Sequence, residues 1–172
     1  MSNSHDPTLE MEAEEEALRS QMFLTFMLGG ESYGLAITAV TEIIGFQQIT
    51  PVPDVPHYIR GIINLRGKVI PVMDVRARFG MEPRDYDART CIIVVHIREA
   101  SVGLIVDTVS EVVDIELSNI EAPPSMGSSA GGGQGFMMGV GKVEDEVKLL
   151  LDAGRLLFDD SLGGFDLASP AA

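Results

Sequence analysis

Residues 91–115 read CIIVVHIREASVGLIVDTVSEVVDI, and the way this stretch alternates decides the fold. Between Cys91 and Ile97 both faces of an extended chain are apolar: Cys91, Ile93, Val95 and Ile97 on one, Ile92 and Val94 on the other. A turn at Arg98–Ala100 and a second β-branched run to Ile115 follow, so the stretch makes two or three strands. A small barrel buries one face of each strand. The second apolar face of 91–97 must therefore be covered by another barrel of the same chain or by a partner molecule. The segment FLTFML, residues 23–28, makes the same demand.

The flanking sequence repeats this grammar. FLTFMLGG and ESYGLAI form a hairpin turning at Gly29-Gly30, which accept positive φ without strain. In ITAVTEIIGF, Ile37, Val40 and Ile44 have the spacing of a short amphipathic helix ending at Gly45, while the β-branched residues leave a strand equally open. PVPDVP, residues 51–56, forbids a regular ladder and marks a connection. GIINLRGKVIPVMDVRARFG, residues 61–80, reads as strand, turn at Arg66-Gly67 and strand, with Pro71 at an edge or a bulge. Residues 81–90 are a polar connection, and EAPPSMGSSAGGGQG, residues 121–135, a flexible loop. FMMGVGKVEDEVKLLL closes with a hairpin, after which Asp152 caps a last helix, AGRLLF. The total is eight to ten short strands and two small helices in two similar halves, with no helical crossover long enough for a parallel sheet. The fold class is all-β, a pair of small barrels.

The 172 residues carry a formal charge of −14, and the acids crowd the ends. Residues 1–20 hold six acids against Arg19 and no aromatic residue, so they are expected to be a disordered acidic extension. Residues 159–172 are expected to be a flexible tail. This charge opposes binding to phosphate backbones and anionic lipid. The lone Cys91 cannot close an internal disulfide, the first residues lack a signal peptide's basic and apolar regions, and no apolar run reaches membrane length. A cytoplasmic protein is expected.

No catalytic constellation emerges. GSSAG, residues 127–131, matches G-x-S-x-G in letters only, because Ser129 stands between prolines and a glycine tract rather than between a strand and a helix. There is no phosphate-binding glycine motif. His5, His57 and His96 have no metal-ligand spacing, and Cys91 opens an apolar strand without a basic neighbour to activate it. Asp74, Asp107 and Asp114 read as turn-satisfied or solvated carboxylates rather than an acid–base pair. No cofactor and no metal are expected. The polar residue that stands out is Arg66, at a turn between Leu65 and Gly67, with Arg60 and Lys68 near and Glu42 as its acidic counterpart.

YGLAITAVTEIIGFQQITPVPDVPHYIRGIINLRGKVIPVMDVRARFG, residues 33–80, closely resembles the signature region of the CheW family of chemotaxis coupling proteins. The likeness continues through IIVVHIREASVGLIVDTVSEVVDI and GVGKVEDEVKLLLDAGRLL, and covers about residues 21–158. It implies two intertwined SH3-like five-stranded barrels, roughly 30–85 and 86–150, with the N-terminal strand crossing between them. It also implies a non-catalytic adaptor that couples the cytoplasmic tip of methyl-accepting chemoreceptors to the regulatory domain of the histidine kinase CheA, monomeric in isolation and recruited to membrane-associated receptor arrays. Carried over by position, Val40, Glu42, Gly61, Arg66 and Gly103 are receptor-coupling residues, with Gly103 on the second barrel's side of the groove. Val69, Pro71, Val72 and Met126 are kinase-facing. An adaptor of a non-flagellar chemosensory pathway (surface motility or development) is the alternative, and a barrel binding a small ligand the remote one. The acidic extension and the tail after Phe158 lie outside the likeness.

Overall fold

The computed structural model describes Thr8, residues 19–123 and residues 134–158. Among them are eleven strands: β1 Ser20–Leu28, β2 Glu31–Ala36, β3 Val40–Gly45, β4 Ile59–Leu65, β5 Lys68–Asp74, β6 Cys91–Ile97, β7 Ala100–Val106, β8 Thr108–Glu116, β9 Ile120–Glu121, β10 Met137–Val143 and β11 Glu146–Leu151. Helices α1, Val75–Arg78, and α2, Ala153–Phe158, each follow the last strand of a half. The readings of residues 1–20 as disordered, of the glycine-rich loop around Ser129 and of the tail after Phe158 fall almost wholly outside the described residues, except that Ser20 already belongs to β1.

Two sheets form, in the orders β3-β6-β7-β5-β4 and β8-β1-β2-β11-β10-β9. Each closes on itself as an SH3-like barrel. In the first, the chain leaving β3 returns at Thr50 to bridge Ile62 of β4. In the second, β8 and β9 are joined through the single 3₁₀ turn Leu117–Asn119, so the two ends of the sheet are one continuous stretch of chain.

Membership of the sheets does not follow an even division near residue 85. The hairpin β1–β2 pairs with β8 and β11, while β6–β7 pairs with β3 and β5. Each half of the chain thus lends its first hairpin to the other half's barrel. Two parallel pairings, β2 with β11 and β5 with β7, arise from this exchange without helical crossovers. The parallel contact absent from the sequence reading forms because the partners come from different halves.

The exchange also accounts for the doubly apolar strands. Ile92 and Val94 enter the first barrel's interior with Ile63, Ile70, Val72 and Ile105. Phe23 enters the second with Ile115 and Leu150. The opposite faces, Ile93 and Val95 of β6 and Leu24, Phe26 and Leu28 of β1, meet in one core between the barrels. An aromatic file, Phe26–Tyr33–Phe79–Phe136, runs through it with ring centroids 5.9, 5.6 and 5.7 Å apart. Buried Arg78 lies 4.4 Å from the Tyr58 ring and 4.7 Å from that of Phe136, and its Nε donates to Leu156 O in α2.

Residues 37–45 resolve the choice left open between helix and strand. Only the 3₁₀ turn Ile37–Ala39 is helical, and Val40–Gly45 is a strand, because pairing with β6 suits its β-branched residues better than an isolated turn of helix. Pro71 sits opposite Ile62, one residue before the β7 pairing begins at Val72–Gly103, where β5 has a neighbour on one side only. Asp74, rather than Asp152 alone, serves as a helix cap: its Oδ1 accepts from Ala77 N at 3.2 Å, as Asp152 Oδ1 accepts from Arg155 N at 3.1 Å.

Candidate interaction surface

The turn joining β4 and β5 is held open-side outward. Arg66 takes φ 53° and Gly67 φ 84°, and Gly67 N donates to Asn64 Oδ1 at 2.9 Å. A non-glycine residue in this region is uncommon, and here it presents the Arg66 side chain to solvent, 76% exposed. Its Nη1 reaches Glu42 Oε2 at 2.8 Å. Glu42 is positioned by a bulge in β3 between Val40 and Glu42, where Thr41 Oγ1 donates to Val94 O at 2.9 Å. Glu42 Oε1 is buried and accepts no hydrogen bond among the described residues, so the carboxylate depends on Arg66 alone. Val40, half-buried, packs at the border of the core between the barrels. The fold therefore brings Val40, Glu42 and Arg66 onto one barrel, at one side of its closing seam.

Gly61 and Gly103 are both held by tight packing. Both are buried. Gly61 has φ 148°, and a Cβ there would come within 2.0 Å of Thr50 O. It permits the Thr50–Ile62 bridge that closes the barrel. Gly103 lies in β7 of the first barrel, not on the second, where a Cβ would meet Ile92 Cγ2 at 2.8 Å and Val72 Cγ2 at 3.6 Å. These two glycines are packing constraints beneath the surface.

The strand β5 divides by its period of two. Val69 is 59% exposed and Pro71 half-buried on one face, whereas Val72 is fully buried in the barrel interior. Met126 lies outside the described residues.

A polar knot not legible in the sequence ties four segments together. Asp107, between β7 and β8, accepts from Arg76 Nε at 2.7 Å and Nη2 at 2.6 Å, from Arg84 Nη1 at 3.1 Å and from Gly29 N at 3.0 Å. Burial pushes the Asp107 carboxyl up, but the Arg76 hydrogen bonds, the Gly29 N–H and the charges of both arginines outweigh it and hold the group below the ordinary carboxylate range. The same hydrogen bond raises Arg76. Beside it, Tyr86 Oη donates to Asp74 Oδ2 at 2.6 Å, and the phenol is pushed up to about 12, first by burial and then by that bond to a carboxylate. Asp74 and Asp107 are consumed by capping and ion pairing, and Asp114 is exposed on β8. His57 Nε2 lies 3.1 Å from Ala77 O, His96 Nδ1 lies 3.0 Å from Ser101 Oγ, and Cys91 Sγ donates to Arg89 O at 3.3 Å. Among the described residues no group of His, Cys, Asp and Glu is placed to hold a metal, and no helix is long and apolar enough to cross a membrane.

Two interlocked SH3-like barrels, with the Arg66–Glu42 pair at one turn and exposed valines on β5 and β11, define a class of double-barrel β domain. The family model of the CheW-like domain matches residues 22–160, and the chain belongs to that family. It is 33% identical to the chemotaxis protein CheW of Klebsiella aerogenes over 146 residues, covering 85% of this chain and 87% of the relative. It is also 30% identical to protein PilI of Pseudomonas aeruginosa over 97 residues, 56% of this chain and 54% of that one. The crystal structure of the scaffolding protein TtCheW from Thermoanaerobacter tengcongensis superposes with a TM-score of 0.73 at 38% identity, covering 80% of this chain and 92% of the other.

Proposed function

We propose that this protein is a non-catalytic adaptor that couples methyl-accepting chemoreceptors to the histidine kinase CheA. The observation that carries the reading is the pair of exposed Arg66 with half-buried Glu42, presented by a strained turn and a bulge beside the border of the inter-barrel core. An apolar face of a receptor helix would pack near Val40, while Arg66 and Glu42 orient it through polar contacts at the rim. Val69 and Pro71 form the outward face of β5 on which the kinase's regulatory domain would dock. Function here is binding energy alone, each contact weak and made effective by multiplicity within an array. The protein acts in the cytoplasm, drawn to the membrane by its receptors.

The test is a pull-down of the purified protein with a receptor cytoplasmic fragment and with the kinase regulatory domain, wild type beside Arg66→Glu. Both partners bind the wild type, and the substitution weakens the receptor arm while leaving the fold and the kinase arm intact. Capture of neither partner by the wild type would overturn the reading. The likeness to PilI, a relative not named for chemotaxis, favours a second reading, an adaptor of a non-flagellar chemosensory pathway. Deleting the gene and scoring swimming against surface movement separates the two.

A further inference from the structure

The two barrels are built in the same register, and their mouths differ in one chemical respect. β4 and β10 share one order of buried and exposed positions, as do β5 and β11 over their first six residues. The parallel pairs Val72–Gly103 and Leu150–Gly34 correspond, so Ser101 of β7 corresponds to Ser32 of β2, two residues before each glycine. The antiparallel neighbours of these serines are His96 and Met27. By the same register Lys68 corresponds to Glu146 and Ile70 to Lys148. In the second mouth the chain supplies both ions: Lys148, its side chain 7% exposed, donates to Glu146 Oε2 at 2.7 Å. In the first mouth the inner position is apolar Ile70, and the cation stands further out as exposed Lys68. Lys68 Nζ donates to Ser101 Oγ at 3.2 Å, and His96 Nδ1 lies 3.0 Å from the same oxygen. Among the described residues no carboxylate pairs with Lys68, whereas neighbouring Arg66 is already paired with Glu42.

We infer that the mouth of the first barrel is a binding site for a carboxylate, presented by an acidic segment of a partner protein and received by Lys68, Ser101 and His96. The Ser101 oxygen accepts from Lys68 and can donate its own proton to His96 Nδ1, which leaves the imidazole hydrogen on Nε2. Lys68 then keeps two N–H groups and His96 one, donors gathered round a single hydroxyl. A carboxylate suits this set because the twin mouth already places one on its own lysine, through the charge-assisted bond of Lys148 to Glu146. The first mouth has the cation without that internal carboxylate and takes it from outside. The wider field agrees: residues 40–106, which include the first barrel's strands, hold eight lysines and arginines against seven acids, while residues 20–36, 108–123 and 134–151 hold two against eight. An acidic segment is therefore drawn to the first barrel and repelled by the second. That the kinase's regulatory domain supplies this carboxylate rests on the proposed function; the affinity of the mouth for a carboxylate does not.

The probe is a peptide of four glutamates, acetylated and amidated at its ends, titrated at low salt into the full-length protein while its backbone amides are followed. Shifts are expected at residues 67–69, 95–97 and 100–102, with half-saturation on the order of 1 mM, and not at 31–33 or 146–148. They disappear with Lys68→Gln, and also in 0.5 M NaCl, where the screening length falls to roughly 4 Å. Ser101→Ala, which removes the shared hydroxyl, weakens binding about two- to fivefold, while Arg89→Gln, at an exposed arginine of the polar connection, leaves it unchanged. No shift at the first mouth, shifts of equal size at both mouths, or binding that survives Lys68→Gln overturns the inference. Inorganic phosphate binding more tightly than the peptide at the same residues makes the site one for phosphoryl groups and also overturns it. Capture by the kinase regulatory domain is measured separately, with Lys68→Gln expected to weaken it about three- to tenfold at low salt. Peptide binding that depends on Lys68, with kinase capture unchanged, would leave the carboxylate site standing and refute the kinase as its source. Failure of the wild type to capture the kinase at all would overturn the proposed function and leave the site itself intact.

Discussion

Replacing Gly61 by alanine tests whether this glycine closes a barrel or contacts a partner. A Cβ at this position meets Thr50 O at 2.0 Å, Thr50 C at 2.7 Å and Ile49 Cγ2 at 2.9 Å, two of them backbone atoms that no rotamer change can move aside. The clash breaks the paired bonds Thr50 N→Ile62 O and Ile62 N→Thr50 O, both 2.9 Å. Two hydrogen bonds at about 1 kcal/mol each and about 1–3 kcal/mol for alanine at φ 148° sum to about 3–5 kcal/mol. In a domain of this size that lowers Tm by roughly 10–15 °C. Gly67→Ala is the control: its φ is 84° but nothing lies within 4 Å of the added methyl, so only the backbone cost of about 1 kcal/mol applies. Urea unfolding gives the two values, and amide exchange places the loss at Thr50 and Ile62. A Gly61→Ala protein with less than about 1 kcal/mol of destabilisation and unchanged protection at Thr50 would refute the closure argument. Loss of receptor binding in a variant that stays folded would restore Gly61 as a contact residue.

Asp107→Asn removes the acceptor shared by Arg76 and Arg84 and is expected to cost about 2–3 kcal/mol at pH 7, measured by urea unfolding. Because the folded Asp107 pKa lies below its unfolded value near 3.8, its stabilisation is complete above that pH and fades as acid titrates the folded group; the Asn variant should lack this part of the acid-side decline. Tyr86→Phe should abolish a tyrosinate titration near pH 12 in ultraviolet absorbance. The folded phenol is raised above its ordinary value of 10.0, so its contribution is present below that pH and is lost as pH rises through about 12. Val69→Asp on the exposed face of β5 should change stability by less than about 0.5 kcal/mol yet weaken capture by the kinase regulatory domain, whereas Val72→Ala, in the interior, should destabilise the fold by about 1–3 kcal/mol.

Much of the site was legible because its signals are local. Arg66 beside Gly67 announces a turn with an outward side chain, and Glu42 follows from the likeness of residues 33–80 to a known family. Val69 and Val72 could not be told apart by likeness alone, since only the alternation of β5, anchored by Ile70 in the barrel interior, sends one out and the other in. Gly61 and Gly103 were visible as glycines but not as packing constraints, because the atoms they avoid belong to Thr50, Ile92 and Val72. Asp107 gave no sign of its role: its partners Gly29, Arg76 and Arg84 lie 78, 31 and 23 residues away.

By itself the amino-acid sequence determined that this protein is all-β, that its strands come in hairpins, and that 23–28 and 91–97 need cover on both faces, since alternation and turn chemistry act over a few residues. Only the tertiary structure decided which hairpin completes which barrel. β1–β2 and β6–β7 are similar local units, and either assignment satisfies their own hydrogen bonds. The choice rests on contacts across the whole chain, where Phe26, Tyr33, Phe79 and Phe136 stack in one core and the exchange binds the two barrels into a single body.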